Sequence, residues 1–497
     1  MALLQLLATT IVGAIGAQLI FSLLLTPLRS FPGPFLAKFT DLWRLYDVWT
    51  GRSEKTQTEL HQKYGKAVRT GPNCVSISDP ELIKVIYSSK DKWRKSEFYS
   101  VNDFVINGQT FSTTFGVRDE AAHSAMTRPV HKLYTTANVV RYEPLIDSAI
   151  DFFLSQLQTR FVDTKKPCPI DRWLHFVAWD TIAEMTFSRR FGFLEQGADI
   201  ERLIYTGKVM HEYMSVIGQI PLLDKVFAKN PVKPIGPPAF GAAAEFSAKQ
   251  LAVRKSGEDE HNPDRPDFLD EFLEIQKASE ARDDEVITWM LSNVLAGSDT
   301  VAISLRAVVY YLAKNQDCQA KLQAELDGAG LETRPKFKEV SELPYLGAVI
   351  REATRLHPGV AMLLERTVPE GGLKLKDGRF IPAGTIVGIN PRVIHREKET
   401  FGEDAEAFRP ERWLKSKDEG EEAYQTRVKK MRDADLTFGF GKRACSGKNV
   451  AIVEMHKIIA RLYRTFDVKL VDPKKEWKIQ ASWFYFQEGI DVYLSQR

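Results

Sequence analysis

Ten residues near the C-terminal end, FGFGKRACSG (Phe438 to Gly447), constrain this 497-residue chain more than any other stretch. They combine three glycines, two adjacent cations and one cysteine. A phosphate-binding loop needs GxxxxGK followed by Ser or Thr, after a strand. Here Lys442 is followed by Arg443, which excludes that chemistry. Glycines at 439, 441 and 447 let a backbone turn tightly and approach a flat object closely. In the following SGKNVAIVEMHKIIARLY, the apolar Val450, Ile452, Val453 and Ile458 predict a buried helix. A Cys445 thiolate at its N-terminus, beside Lys442 and Arg443, is electrostatically favoured.

The other cysteines, Cys74, Cys168 and Cys318, are far from Cys445 and from one another. Without a CxxC or a histidine cluster, the spacing argues against structural zinc. So few cysteines also argue against a disulfide framework, which fits a reducing compartment. A lone sulfur in such a loop suits an axial ligand to a haem iron better than a metal cluster. The alternative is a buried packing cysteine in a glycine-rich turn.

Charge excludes little and selects no polyanion. The 68 cations are nearly matched by 65 anions, for a net +3, so no global field points to nucleic acid. The first thirty residues are more specific, with no charged side chain before Arg29. Residues 2–25, if helical, would extend about 36 Å, enough to cross a bilayer with some tilt. There is no basic segment ahead of the apolar run, which favours a retained anchor over a cleaved signal. Arg29, Lys38 and Arg44 follow it and place the remainder on the cytoplasmic side. Pro32 and Pro34 then break the helix.

Past that point the periodicity predicts mostly helices. They cover DPELIKVIYSS, Ala121 to Thr136, Trp173 to Phe187 and Asp284 to Lys314. KAVRTGP and CVSISDP read as a hairpin, and further short strands fall in GGLKLKDGRFIPAGTIVGI and near WFYFQEGIDVYL. This pattern favours one large mixed domain.

Two helical motifs carry polar residues where local propensity opposes them. In LPYLGAVIREATRLHP an apolar stripe is flanked by Glu352 and Arg355, three apart and so on one face. Burying either charge alone would be costly, so a second arginine, Arg412 of FRPERW, is a sensible third member. AGSDT, Ala296 to Thr300, places Gly, Ser, Asp and Thr inside a long helix, a conflict expected at functional sites. Thr300 can bond the carbonyl of residue 296 or open that turn to water. An acid beside an alcohol suits proton delivery. The plain reading is a helix-bending threonine beside a solvated aspartate.

The ten-residue loop resembles the haem-binding loop of the cytochrome P-450 monooxygenase family, Phe-x-x-Gly-x-Arg-x-Cys-x-Gly. Phe438, Gly441, Arg443, Cys445 and Gly447 each match it. Glu352–Arg355 with Arg412, and AGSDT, resemble further family motifs in the expected order. The resemblance covers essentially the whole chain and implies a mainly α fold with small β-sheets (α+β). One large haem-thiolate domain, 41–497, would follow a transmembrane anchor, 1–28, and a Pro/Gly hinge, 29–40. The implied cofactor is haem b, iron protoporphyrin IX, with Cys445 as axial thiolate. Asp299 and Thr300 become the implied proton relay, and Ala296 and Gly297 the place where the flat ring nears the helix. Arg443, Arg366, Arg128 and His123 become the implied propionate partners. The position four after His123 is Thr127, where the family more often has a cation.

The implied reaction places one atom of O2 into a lipophilic molecule by hydroxylation, demethylation or epoxidation. Electrons would come from NADPH through a cytochrome P-450 reductase, with cytochrome b5 as a second donor. A basic patch of Lys132, Lys442 and Lys448 is the candidate docking face. The implied location is the endoplasmic reticulum membrane, single-pass, with the catalytic domain cytosolic and no nucleic-acid partner. VIHREKETFGEDAEAFRPERW and MLLERTVP look most like filamentous-fungal members related to pisatin demethylase, which suggests secondary metabolism or detoxification of plant compounds. Substrate-facing residues by resemblance are Phe104, Phe111, Phe115, Val360, Met362, Leu363, Trp483 and Phe484. The rival readings are an O2-independent isomerase or dehydratase and a non-catalytic haem-binding protein. Retention of both Asp299 and Thr300 weighs against both.

Overall fold

The computed structural model describes residues 5, 9, 10, 13, 16, 17, 19–89, 93–106, 109–237, 241–259 and 261–497. Most of the expected anchor lies outside them, as do the side chains of Phe104 and Phe111. Helices dominate, with small sheets attached. The elements that position the site are α1 (Leu42–Trp49), α2 (Glu120–Thr127), α3 (Glu143–Leu157), α4 (Ile170–Phe187), α5 (Leu203–Ile217), α6 (Asp283–Lys314), α7 (Pro344–Leu356) and α8 (Lys448–Thr465).

The 32-residue α6 is the axis of the core. Asp283, Asp284 and Glu285 occupy its first turn and Lys314 its last, the arrangement that complements the helix dipole. Val286, Met290, Val294, Val301, Leu305, Val308 and Leu312 are buried along it. It packs most extensively on α4, which is buried at every position but Arg172. Among the described residues α6 is the one helix long and apolar enough to cross a membrane, and more than half of that window is buried inside the protein.

The main sheet runs β1 (Ala67–Gly71), β2 (Cys74–Ile77), β6 (Ile386–Ile389), β5 (Arg366–Thr367) and β3 (Arg94–Lys95). The expected hairpin forms, with Ala67 opposite Ile77. β6 joins it in parallel, Ile389 beside Ile77, so segments three hundred residues apart share one sheet. A second sheet pairs β7 (Phe466–Leu470) with β10 (Asp491–Gln496) and β10 with β4 (Cys168–Pro169). A third is the hairpin β8 (Lys478–Ala481) and β9 (Tyr485–Glu488).

Three expectations need correcting. The helix expected over 121–136 ends at Thr127, because Pro129 lacks the N–H needed to continue it. DPELIKVIYSS yields a 3₁₀ turn, Pro80–Leu82, and one short helix, Ile83–Ile86. The Pro/Gly segment 29–40 is docked against the sheet and is no free hinge. Phe31 is fully buried, and Arg69 N–H donates to the Pro32 carbonyl at 2.7 Å. The buried Arg69 guanidinium also donates to the Lys38 and Pro72 carbonyls at 3.1 and 2.8 Å.

Candidate functional site

The cysteine loop is fixed by its own backbone. Cys445 N–H donates to the Phe438 carbonyl at 2.8 Å, and Gly439 N–H to Leu436 at 2.9 Å. Gly439 and Gly441 both have φ near +70°, the left-handed region that glycine enters without penalty. At Gly441 a Cβ would lie 1.9 Å from the Tyr87 carbonyl oxygen. Gly447, expected to share this role, has φ −80° and serves as the N-cap of α8. Gly441→Ala should therefore destabilise by roughly 1–2 kcal/mol from φ alone, plus the collision. Gly347→Ala, mid-helix with open space around it, should stabilise by up to about 1 kcal/mol. Urea unfolding of the two variants checks the opposite signs.

Cys445 is a free thiol with exposed surface. Protein atoms nonetheless crowd it enough that burial pushes the thiol above its usual value, against the Gly447 backbone N–H and Lys448. Lys442 and Arg443, expected to favour the thiolate, are not the groups acting on it. Arg443 turns away to Glu120 at 2.9 Å and to the Val117 carbonyl at 2.9 Å. Phe438 is half-buried, with Lys448 Nζ 5.8 Å over its ring. Tyr134 ties this region to α6: its hydroxyl bonds Asn293, and its carbonyl accepts from Asn449 at 2.8 Å.

α6 has an open turn in mid-core. Ala296 is exposed and Thr300 half-buried, and the Thr300 hydroxyl donates to the Ala296 carbonyl at 2.7 Å. Gly297, expected beside Ala296 at the cofactor, faces the other way. Its Cβ would lie 2.9 Å from Ile182 of α4, so its small size serves helix packing. Asp299 also points away from Thr300, as adjacent helical residues must. It is 4% exposed and accepts from His175 Nε2 at 2.7 Å. Burial pushes its carboxyl up, but the hydrogen bond from His175, with His211 and Arg306 nearby, outweighs that and holds it below the usual value.

Cations gather where β3 meets β5. Lys95 lies directly opposite Arg366 in the ladder, and both are buried. Like charges placed so are destabilising unless an anion joins them. Burial, Arg366 and Arg443 together push the Lys95 ammonium well below its usual value, while Glu120 opposes. His123 faces Arg443, Glu120 and Lys95 and is pushed down to about 4, chiefly by burial. Arg128 does not join them. Five residues along a helix turn a side chain about 140° away from His123, and Arg128 is exposed at the end of α2. A recess of about 20 Å³ lies among Tyr87, Trp93, Arg366, Phe440 and Arg443. Tyr87 donates to the Leu364 carbonyl, accepts from Ile389 N–H, both at 2.9 Å, and underlies the Arg366 guanidinium at 5.0 Å.

Glu352, Arg355 and Arg412 do meet, all at most 2% exposed. Glu352 accepts from Arg355 Nε and Nη2 at 2.9 and 2.8 Å and from Arg412 Nε at 3.1 Å. Trp413 Nε1 and Arg409 N–H complete its shell at 2.9 and 3.1 Å. Arg355 also donates to the His395 and Ala405 carbonyls, each at 2.7 Å. His395 then links α7 to the cysteine loop: Nδ1–H donates to the Arg355 carbonyl at 3.1 Å, and Nε2 accepts from Leu436 N–H at 2.8 Å.

Of the expected substrate wall, Val360 and Phe484 are half-buried and bridge each other. Trp483 is 2% exposed, packed edge-on against Phe115 and Tyr99. Met362 and Leu363 are buried as well. Phe115 is half-buried under Lys95. Phe104 and Phe111 are paired across a strand hairpin, and their side chains lie outside the described residues.

The sequence reasoning missed Lys95, Tyr87, His395, and the partners of Asp299. Only strand register exposes Lys95, and the others come from distant segments. Together the residues fit a haem. A thiol stands on one loop, an open helical turn carries no bulky side chain at Ala296, and two buried cations, Lys95 and Arg366, face each other across a ladder.

Comparison with known proteins agrees. The Cytochrome P450 family profile matches residues 32–489. The cytochrome P450 monooxygenase cfoH of Aspergillus candidus is 39% identical, over 95% of this chain and 89% of that protein. The cytochrome P450 monooxygenase cicH of Emericella nidulans is also 39% identical, over 95% and 94%. Cytochrome P450 monooxygenase pkfB of the same organism is 37% identical, over 94% and 91%. With the profile spanning residues 32–489 and these relatives matched over nearly their whole length, this chain belongs to the cytochrome P450 family and is a monooxygenase.

Proposed function

We propose that the protein is a membrane-anchored monooxygenase that places one oxygen atom from O2 into a lipophilic aromatic or terpenoid-like molecule, in fungal secondary metabolism. The observations that carry this reading are the Cys445 thiol on its glycine loop, the open Ala296–Thr300 turn, and the cluster of cations Lys95, Arg366 and Arg443. Cys445 would hold the haem iron, and the three cations with His123 would hold its propionates. When bound, the haem supplies the O2-activating chemistry, its thiolate ligand favouring O–O cleavage.

The chain's own residues do the rest. Thr300 keeps its hydroxyl on the open turn, bonded to the Ala296 carbonyl. Asp299, the next residue but turned toward His175, holds a carboxylate that would exchange protons with this turn after rotating toward it. Val360 and Phe484 offer apolar wall to the substrate. The Glu352 cluster is architectural. Electrons would come from NADPH through cytochrome P450 reductase, with cytochrome b5 as a second donor. Lys132, Lys442 and Lys448 are exposed and available for docking. Leu222, Val226 and Phe227, after α5, expose apolar surface that suits a membrane face at the endoplasmic reticulum.

The test uses full-length protein in detergent with NADPH, the reductase and 18O2, against a panel of aromatic and terpenoid compounds. The expected result is NADPH-dependent product carrying one 18O atom. Product formed without O2 or reductase would instead establish the isomerase or dehydratase reading.

A further inference from the structure

Asp299 is enclosed by two histidines of different character. Those of α4 and α5 approach it from opposite oxygens: His175 Nε2 lies 2.7 Å from Oδ1, and His211 Nδ1 lies 3.9 Å from Oδ2. Arg306 Nη2 stands 2.8 Å from His175 Nδ1. A guanidinium can only donate, so Nδ1 must accept and Nε2 must carry the hydrogen given to Asp299. Both ring nitrogens of His175 are thereby committed. A second proton on Nδ1 would set an N–H against the guanidinium, so His175 is a fixed neutral donor. Arg306 is itself held by the Asp171 carbonyl at 2.7 Å.

His211 has what His175 lacks. Among the described residues its buried Nδ1 meets no side-chain partner at hydrogen-bond length, and the Gly207 carbonyl of its own helix is the acceptor beside the ring. Its side chain is 17% exposed, whereas that of Asp299 is 5% exposed. It packs edge-on against Phe484 at 4.6 Å, beside the apolar wall.

We propose that His211 is the proton donor that reloads Asp299, with His175, clamped by Arg306, as the positioning residue that aims the carboxylate. This rests on the monooxygenase reading above. His211 takes a proton from solvent and becomes imidazolium. Its Nδ1–H then gives that proton to Asp299 Oδ2, leaving a neutral imidazole and a neutral carboxyl. The carboxyl, which points away from Thr300 at rest, then rotates toward it and returns to carboxylate by releasing the proton there. The 3.9 Å gap closes to hydrogen-bond length with a swing of about 1 Å.

The charges facing the pair set the pH response. Burial lowers the His211 pKa, and the Asp299 carboxylate and the Gly207 carbonyl raise it. Burial and Arg306 lower that of His175, and Asp299 and Asp199 raise it. Lys208 of α5 is 3.7 Å from Glu488 of β9, a pair of opposite sign just outside.

Two measurements on the full-length haem protein decide the matter. In the first, protein labelled with 13Cε1-histidine is titrated by NMR, with the His211 resonance assigned from His211→Gln among the nine histidines. Asp299→Asn should move the His211 midpoint at least about half a unit down, because the carboxylate that favours its imidazolium is gone. In the second, NADPH-driven O2 consumption with reductase is followed in H2O and D2O across pH. His211→Gln should slow it about fivefold and abolish both the solvent isotope effect and the fall with rising pH. His175→Gln should slow it while leaving the pH dependence in place. A His211 midpoint indifferent to Asp299→Asn, or an unchanged pH profile in His211→Gln, would overturn the proposal. All variants should keep the red-shifted carbon monoxide band. Its absence from the wild type would mean instead that the haem-thiolate reading itself had failed.

Discussion

Cys445→Ser and Cys445→His should each abolish the strongly red-shifted Soret band of the dithionite-reduced, carbon monoxide-treated protein. Turnover should fall more than about 100-fold, since changes to residues that merely support a metal ligand already cost about 10–100-fold. The loop's shape does not rest on the thiol. It is held by Cys445 N–H to the Phe438 carbonyl, by the positive φ of Gly439 and Gly441, and by the contact with Tyr87. Serine therefore keeps the loop and removes the sulfur. Absorption spectra of the three proteins, purified side by side, check the assignment. A band that survives both substitutions would return FGFGKRACSG to a glycine-rich turn around a packing cysteine.

Glu352→Gln should cost about 3–5 kcal/mol in urea unfolding, the usual cost of stranding buried partners of an ion pair. Arg355 and Arg412 are both at most 2% exposed and share this one carboxylate, as do Trp413 Nε1 and Arg409 N–H. Against a typical total of about 5–15 kcal/mol, that is a large fraction. Haem retention should fall with it, because Arg355 supports His395 and His395 supports Leu436 at the entry to the cysteine loop. A loss below about 1 kcal/mol would place the loop's support elsewhere.

What was legible in the sequence was local. The cysteine loop announces itself because its glycines, cations and thiol are consecutive. Glu352 and Arg355 share a helical face by spacing alone, and the length and polarity of α6 predicted its bounds to within a residue. Facing direction was less legible. Gly297 and Ala296 are neighbours, yet one packs on Ile182 and the other lies open, a distinction set by where α4 crosses. Arg128 fails for the same reason, one position beyond the helical repeat that would align it with His123. Lys95 needs the β3–β5 register, and the histidines around Asp299 come from helices about ninety and a hundred and twenty residues away. No local pattern encodes such meetings.

Tyr87 acts as a common datum. Its carbonyl abuts Gly441, its hydroxyl spans Leu364 and Ile389, and its ring carries the Arg366 guanidinium. The thiol-bearing loop and the cation-bearing strand are thus both gauged from one residue. Phe484, Val360 and His211 hang from other segments of the chain. Mutational drift in that wall can change which molecule is accepted while the tolerances of the cofactor seat stay as they are. A scaffold dimensioned in this way can be retuned for new chemistry one wall at a time.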